Sequence, residues 1–317
     1  MNRFTSRAYS GAADLDLLID FARTTTAARW PRSTYMKAGD VVWMLSPGSD
    51  PNINIRLWFG GDILVAYASF EPPLNFDFDI GPGVSLDDLL AGEILGWAED
   101  RRRSLLQTGG AKIPKSMTML GENTLTTHVL DSDPERIALL KRTGYTLADR
   151  FDVLYSLSLV EGPIAQPKLA AGLRLRHATD ADLEARVEVH REAWSVWGPS
   201  KIAIDAYRKL RSAPLYDPEL DVVLEDANGK FLSYCIAWQD IANGFGHFEP
   251  VGCRPDFTGR GYARAVTIEG LRRMQARGLH TALVATASVN ERARVLYPSC
   301  GFVEVDRAYY YVKELAG

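Results

Sequence analysis

The sequence predicts a mixed α/β (α+β) fold arranged as two similar domains in tandem, each with a central mixed sheet flanked by helices. The chain has 317 residues, which is long for one domain and ordinary for two. The segment VEGPIAQPKLAAG, from Val160 to Gly172, is rich in Pro, Gly and Ala and is typical of a linker. We therefore expect a first domain over residues 1–160, a linker over 161–171 and a second domain over 172–317.

The main evidence for two copies is a gapless internal repeat. DPERIALLKRTGYTLADRFDVLYSLSL begins at Asp133, and NERARVLYPSCGFVEVDRAYYYVKEL begins at Asn290. A constant offset of 157 positions aligns them, and it also places Gly144 on Gly301. Each copy predicts a capped helix, a glycine at the helix C-terminus and an aromatic strand. Chance similarity of common elements is the alternative. The shared register favours duplication of a domain, and the repeat is too long for a solenoid.

Periodicity and turn signals predict the remaining elements of the second half. The turn Ala227-Asn228-Gly229 joins two of its strands. Helices are predicted over 181–194, capped by Thr179 and Asp180, over 202–211, over 261–278 and from Asn290. Strands are predicted over 173–177, 221–225, 231–239, 245–253, 281–286 and from Phe302. This pattern favours a sheet with helices packed on it.

Composition restricts the classes of function. Hydrophobic residues make up 46% and charged residues 24% of the chain, as in ordinary globular proteins. The net charge of −4 gives no electrostatic reason to expect nucleic acid. The three cysteines form no CxxC pair and the five histidines show no ligand spacing, so we expect neither disulfides nor a metal. Without a signal peptide or a long apolar run, the sequence predicts a cytoplasmic protein that does not enter a membrane.

A glycine-rich turn in the second half carries the clearest chemical signal. A strand is expected to end at Cys253, and the next helix opens with Thr258, Gly259, Arg260, Gly261, Tyr262 and Ala263. Glycines permit positive φ and leave no side chain in the way, so N–H groups can converge at the positive end of a helix dipole. Such a turn suits phosphate oxygens, and Arg260 and Arg264 can add charge. Neither a Walker loop nor a Rossmann turn is present.

The segment VGCRPDFTGRGYARAV resembles the acetyl-coenzyme A loop of the GNAT acetyltransferase superfamily, whose pattern is [RQ]xxGx[GA]. Gly261 and Ala263 match the last two fixed positions, whereas Thr258 replaces the first and removes one charged residue. The other pyrophosphate donors of the family are backbone N–H groups. The preceding strand resembles the family strand that pairs with the pantetheine arm, which implies coenzyme contacts from Val251, Gly252 and Cys253.

A second segment, NERARVLYPSCGF, is similar to the family pattern NxxAxxLYxxxGF. The resemblance implies that Asn290 caps the helix and turns its amide toward the coenzyme. It also implies that Tyr297, two turns further on the same helical face, protonates the departing thiolate. The alternative for Tyr297 is a core aromatic. Together with the similar opening LRLRHATDADLEARVEVHREAW, these motifs cover most of residues 172–317 and imply two tandem GNAT-like domains.

Transfer to an amine requires a neutral nucleophile, a positioned carbonyl and a protonated leaving group. Glu249, near the end of the strand expected beside the thioester, is the candidate general base, acting through water. Its alternative is a surface carboxylate or an arginine partner. His247, on the same strand face, is the second candidate. The backbone N–H of Cys253 is a candidate to polarise the carbonyl, and no base accompanies its thiol, which argues against an acyl-cysteine.

The first half keeps the scaffold of the repeat but not its chemistry. Before a helix over about 86–103 the sequence is DIGPGVSLDD, and three carboxylates there would repel phosphates: Asp79, Asp87 and Asp88. Leu140 occupies the position of Tyr297 and cannot donate a proton. We therefore expect a degenerate copy with a structural or substrate-shaping role. Its aromatic residues are expected mainly in a core, with a shared cleft as the alternative: Trp30, Tyr35, Trp43 and Trp58.

The leading hypothesis is acetyl-coenzyme A-dependent N-acetylation of a primary amine on a small molecule, by direct attack in a ternary complex. The alternatives are a coenzyme-binding sensor that has lost catalysis and a transferase that acts on a protein amine. Retention of Tyr297 and Glu249 favours catalysis.

Overall fold

A computed structural model of the chain describes residues 3–31, 33–45, 50–108, 120–198, 200 and 202–315. The chain forms two compact units. Unit 1 comprises Met1–Lys37, Ser49–Asp152 and Asp306–Gly317, and unit 2 comprises Ala38–Gly48 and Val153–Val305. The domain boundaries expected at 160 and 172 therefore do not coincide with the edges of the compact units. As a division of the sequence into two copies, they stay a prediction.

Unit 1 contains a mixed sheet with helices. Its strands are β1 (Thr5–Ala8), β2 (Ile55–Gly60), β3 (Ile63–Glu71), β4 (Asn75–Ile80), β5 (Thr124–Leu130) and, from Asp306 onward, β12 (Val303–Glu314). They lie in the order β1-β2-β3-β4-β5-β12. Among the described residues of unit 1, β4 pairs with β5 in parallel, and the other neighbouring strands pair antiparallel. Its helices are α1 (Ala12–Arg29), α3 (Pro51–Asn54), α4 (Asp88–Gln107) and α5 (Pro134–Arg142).

The core of unit 1 lies between the sheet and α4. Leu90, Ile94 and Ala98 recur at helical spacing on α4 and are buried against Trp58 and Phe76. Burying each large apolar side chain contributes about 1.5–3 kcal/mol. The expectation of a core position is correct for Trp58, whereas Trp30 is 47% exposed and lies at the surface.

Unit 2 contains a second mixed sheet. Its strands are β7 (Arg174–His177), β8 (Asp221–Glu225), β9 (Phe231–Asp240), β10 (Phe245–Cys253), β11 (Thr281–Ala287) and, from Val153 onward, β6 (Thr146–Ser158). They lie in the order β7-β8-β9-β10-β11-β6. Strands β7 to β10 are antiparallel, and β10 and β11 are parallel. Its helices are α2 (Ala38–Leu45), α6 (Leu183–Trp194), α7 (Ile204–Arg211), α8 (Tyr262–Ala276) and α9 (Glu291–Ser299).

The internal repeat holds at the level of individual residues. Helices α5 and α9 occupy matching positions, and the Asp133 and Asn290 side chains cap them by accepting from Arg136 N and Ala293 N. Both helices lead to a glycine in the left-handed region, Gly144 at φ 91° and Gly301 at φ 97°, as helix C-termini commonly require. The two units also have the same strand order, but each is completed by a last strand whose sequence belongs to the other copy.

Several predicted bounds in unit 2 are confirmed. Strands β8 and β10 begin and end at the predicted residues. The helix predicted from residue 181 begins with a short 3₁₀ turn, Asp180–Asp182, before α6. Thr179 and Asp182 form a reciprocal capping box there. Among the helices of the described residues, none has the length and hydropathy to span a bilayer.

Candidate active site

Strands β10 and β11 diverge within unit 2. Along these described strands the parallel pairing runs only from Phe245–Thr281 to His247–Leu283, although both strands continue further. A bulge between Phe248 and Val251 shifts the register of β10 against β9, and such bulges re-aim side chains. The segment from Glu249 to Cys253 therefore presents one backbone edge to the opening between the strands.

The two faces of this sheet carry different helices. A Cβ on Gly270 of α8 would lie 2.5 Å from the ring of Phe248, so α8 packs closely on the face of Phe248. A Cβ on Gly39 of α2 would lie 2.4 Å from Trp238 and 2.6 Å from His247, so α2 packs on the face of His247. Glu249 lies in the bulge, and its charge acts on Tyr234, whose side chain alternates onto the same face of β9 as Trp238 and therefore onto the α2 face.

Glu249 lies beside two buried tyrosines. Its backbone oxygen accepts a 2.7 Å hydrogen bond from Trp238 Nε1, which fixes the strand at this position. Burial, with the charge of Glu249 as a further cause, raises the pKa of Tyr234 and of Tyr297. The structure thus brings the two predicted catalytic residues, Glu249 and Tyr297, into electrostatic range of one another. Their catalytic roles stay predictions.

Tyr297 has properties of both predicted roles, the proton donor and the core aromatic. It is 6% exposed, and its ring lies 5.8 Å from that of Tyr155 and 5.9 Å from that of Phe302. Burial, and after it the charge of Glu249, raises its pKa well above the ordinary value, so the phenol keeps its proton. The ring therefore lies in the core, and its phenol is protonated, as a proton donor must be.

The turn before α8 has an open backbone. Thr258 Oγ1 donates to Pro255 O at 2.9 Å, which fastens the turn. Gly259 and Gly261 have φ of 77° and 80°, and a Cβ on either would meet no atom within 4 Å. Gly261 caps α8 without a side-chain hydrogen bond, and the first turn holds no acidic residue. The free N–H groups at such a helix start suit an anion, so these residues fit the diphosphate of a coenzyme.

The basic residues of the turn have different roles. Arg260 is exposed and lies 5.3 Å from the ring centroid of Phe257. Lys230, which the sequence did not single out, lies 5.5 Å from the same ring. Arg264 Nε donates to Ser299 O at 3.0 Å and so joins α8 to the end of α9. The predicted coenzyme contact of Arg264 stays a prediction.

Arg254 holds the end of β10 in place before the turn. The sequence did not predict this role. Its guanidinium is buried, donates from Nε to Phe231 O at 2.6 Å, and lies 2.8 Å from Glu188 and in a shorter contact with Glu192. Only its position directly after β10 could have signalled this role.

Its neighbour Cys253 is partly buried, and burial raises the pKa of the Cys253 thiol. A raised thiol pKa disfavours a thiolate nucleophile.

Unit 1 differs at each corresponding position. The carboxylate of Asp87 accepts from Leu90 N at 3.0 Å, so an acidic side chain occupies the N-terminus of α4. Leu140 is fully buried where unit 2 has Tyr297. The expectation for Asp79 was wrong: it is buried, 3.2 Å from Arg29 and 3.7 Å from Arg136, so it cannot face a ligand. Among the described residues no His, Cys, Asp and Glu cluster could hold a metal ion.

Comparison with known proteins agrees with this geometry. Residues 186–302 match the model of the acetyltransferase (GNAT) family. These residues form an acetyltransferase domain of the GNAT family. The matched residues hold the turn, α8 and α9, and the GNAT family uses acetyl-coenzyme A. The chain is therefore an N-acetyltransferase, as the two sequence motifs implied.

Two relatives and two solved structures extend the comparison. A mycothiol acetyltransferase of Kineococcus radiotolerans is 28% identical over 76% of this chain and 75% of the relative. One from Saccharopolyspora erythraea is 23% identical over 69% and 76%. A GCN5-related N-acetyltransferase from Sphaerobacter thermophilus is 20% identical with a TM-score of 0.67, covering 99% and 96%. A tandem GNAT protein from the clavulanic acid biosynthesis pathway is 15% identical with a TM-score of 0.66, covering 99% of both chains. These structures confirm the tandem GNAT fold.

Proposed function

We propose that unit 2 transfers an acetyl group from acetyl-coenzyme A to the primary amine of a small molecule by direct attack. The observation that carries this proposal is the start of α8 at Gly261, which has no side-chain cap hydrogen bond and lies in the turn that follows β10. The names of the relatives, mycothiol acetyltransferases, support a small-molecule acceptor.

The coenzyme would be held by the turn of Gly259, Arg260 and Gly261, with the strand from Val251 to Cys253 beside its arm. It supplies an acetyl thioester. Glu249, through water, takes the proton that the nitrogen loses as the C–N bond forms. Tyr297 gives its proton to the sulfur as the C–S bond breaks. Burial raises the pKa of Tyr297, so its phenol is protonated, as a proton donor must be.

A thiol-release assay tests the proposal. Acetyl-coenzyme A is mixed with a panel that contains small primary amines, the acceptor of the mycothiol acetyltransferases, and a peptide with a lysine and a free N-terminus. We expect release above the amine-free rate for at least one small amine. Faster release with the peptide would favour a protein acceptor instead.

The second candidate function is a coenzyme sensor without catalysis, which the mostly buried position of Tyr297 favours. Calorimetry with acetyl-coenzyme A separates the two functions. Tight binding without thiol release for any member of the panel would support the sensor and refute the transferase.

We further propose that unit 1 is a degenerate copy that binds no coenzyme. The Asp87 carboxylate at the start of α4 and Leu140 at the position of Tyr297 support this. A carboxylate at a helix N-terminus already satisfies the N–H groups that a phosphate would use, and it repels the phosphate charge.

A further inference from the structure

Helix α2 is an unexpected part of unit 2. Its sequence, AGDVVWML, lies in the first half of the chain, yet it belongs with Val153–Val305. Gly39 is where it approaches the sheet, since any side chain there would collide with Trp238 and His247. This packing places α2 on the sheet face where the charge of Glu249, the candidate base, acts on Tyr234.

Asp40 is the charged residue that α2 brings to this face. Its Oδ1 lies 2.8 Å from Nε2 of His247, and its side chain is 21% exposed while that of His247 is 7% exposed. The orientation of this contact does not make a hydrogen bond to Nε2. The charge of Glu249 also reaches this face of the sheet, where it acts on Tyr234. Asp40 thus combines a fixed position with access to solvent.

Trp43 lies one helical turn further along α2 and contacts α6. Its ring centroid is 6.2 Å from that of His190. Tyr234 Oη accepts from Trp194 Nε1 at 2.8 Å and shares a hydrogen bond with His190 Nδ1, 2.7 Å away. Burial lowers the pKa of His190 to about 3, so the imidazole is neutral. Trp43 and the neutral ring of His190 thus add an aromatic surface where α2 meets α6.

We propose that α2 forms the acceptor-binding wall of the catalytic unit. Asp40 binds the acceptor as an ammonium ion, and Trp43 packs on the carbon skeleton next to the nitrogen. Glu249, through water, removes the extra proton of the ammonium ion before attack and releases it to solvent, so that the same carboxylate can take the second proton as the C–N bond forms. The acceptor class is a small primary amine with an apolar face beside its nitrogen. Asp40 is a substrate-binding residue in this account, and the inference rests on the proposed transferase function.

Steady-state kinetics of Asp40→Asn test this inference, with the amine of the panel that has the highest kcat/KM as the probe. We expect the KM for that amine to rise about tenfold or more, because a charge-assisted contact of about 1.5–3 kcal/mol is lost. The KM for acetyl-coenzyme A and the kcat at saturating amine should change less than about twofold. Asp40→Glu, which keeps the charge, should recover most of the affinity.

Asp217→Asn is the matched control, since Asp217 is a carboxylate of unit 2 that is 17% exposed and paired with Arg277. It should leave the KM for the amine unchanged, and thermal melting should show all variants folded. An unchanged KM for the amine in Asp40→Asn, or an equal rise in Asp217→Asn, overturns the role of α2 while the transferase function stands. A wild-type protein that turns over no amine overturns both.

Discussion

Replacing Gly261 with glutamate is the perturbation that tests the coenzyme turn most sharply. Gly261 has φ of 80° and a Cβ there would meet open space, so the side chain itself fits. The backbone costs about 1–2 kcal/mol, since a residue with a Cβ is disfavoured in the left-handed region. We expect the free energy of unfolding to fall by that amount and the protein to stay folded.

The carboxylate adds a second effect on binding. In our account it would lie at the helix start beside the diphosphate. One like charge about 5 Å from a phosphate oxygen costs about 3 kcal/mol at an effective dielectric constant of about 20. This corresponds to a rise of about 100-fold in the Kd for acetyl-coenzyme A, which isothermal titration calorimetry measures.

Gly278→Glu provides the matched control at the other end of α8. Gly278 has φ of 76°, and a Cβ there also meets open space, so the backbone cost is similar. Its carboxylate lies away from the helix start, and the Kd should stay within about twofold of wild type. A Gly261→Glu protein that binds acetyl-coenzyme A with unchanged affinity, or a Gly278→Glu protein that loses as much, would refute the assignment of the turn.

Three further predictions concern other parts of the chain. Tyr297→Phe should lower kcat about 100-fold or more at unchanged coenzyme affinity and melting temperature. Tyr155→Phe, which changes the neighbouring ring, should keep the wild-type kcat. Equal losses of kcat in the two variants would contradict the proton-donor role of Tyr297. Calorimetric titration should give one acetyl-coenzyme A per chain, and a stoichiometry of two would contradict the degenerate copy. Hydrogen bonds from Arg7 lower the pKa of Asp14 from 3.8 to about 2, so the pair stabilises the fold above the unfolded pKa and this contribution is lost as pH falls from about 4 to 2. Asp14→Asn should therefore be less stable than wild type by about 1–2 kcal/mol at pH 7 in urea unfolding, and a difference that does not shrink below pH 4 would contradict the ion pair.

The sequence predicted those parts of the fold that local patterns determine. The offset that aligns Gly144 with Gly301 places both glycines at positive φ after matching helices. The turn at Gly261 was predicted because its glycines permit positive φ at the start of a helix. Strand bounds in unit 2 followed from alternation and turn signals, since each depends only on neighbouring residues.

Long-range packing could not be predicted in the same way. The two copies have similar last strands, so the local sequence does not say that each unit takes its last strand from the other copy. Asp79 was predicted to repel phosphates. The sequence did not indicate its ion pairs with Arg29 and Arg136, because both arginines are distant from it along the chain. Helix α2 belongs to unit 2 because Gly39 permits close approach to Trp238. No periodicity signals that contact.

A crystal structure determined with saturating acetyl-coenzyme A would test the central claim most directly. We predict that the diphosphate accepts hydrogen bonds from backbone N–H groups between Gly259 and Ala263, with the arm of the coenzyme along Val251 to Cys253. Density for the diphosphate at any other place in the chain, with the start of α8 unliganded, would contradict the account.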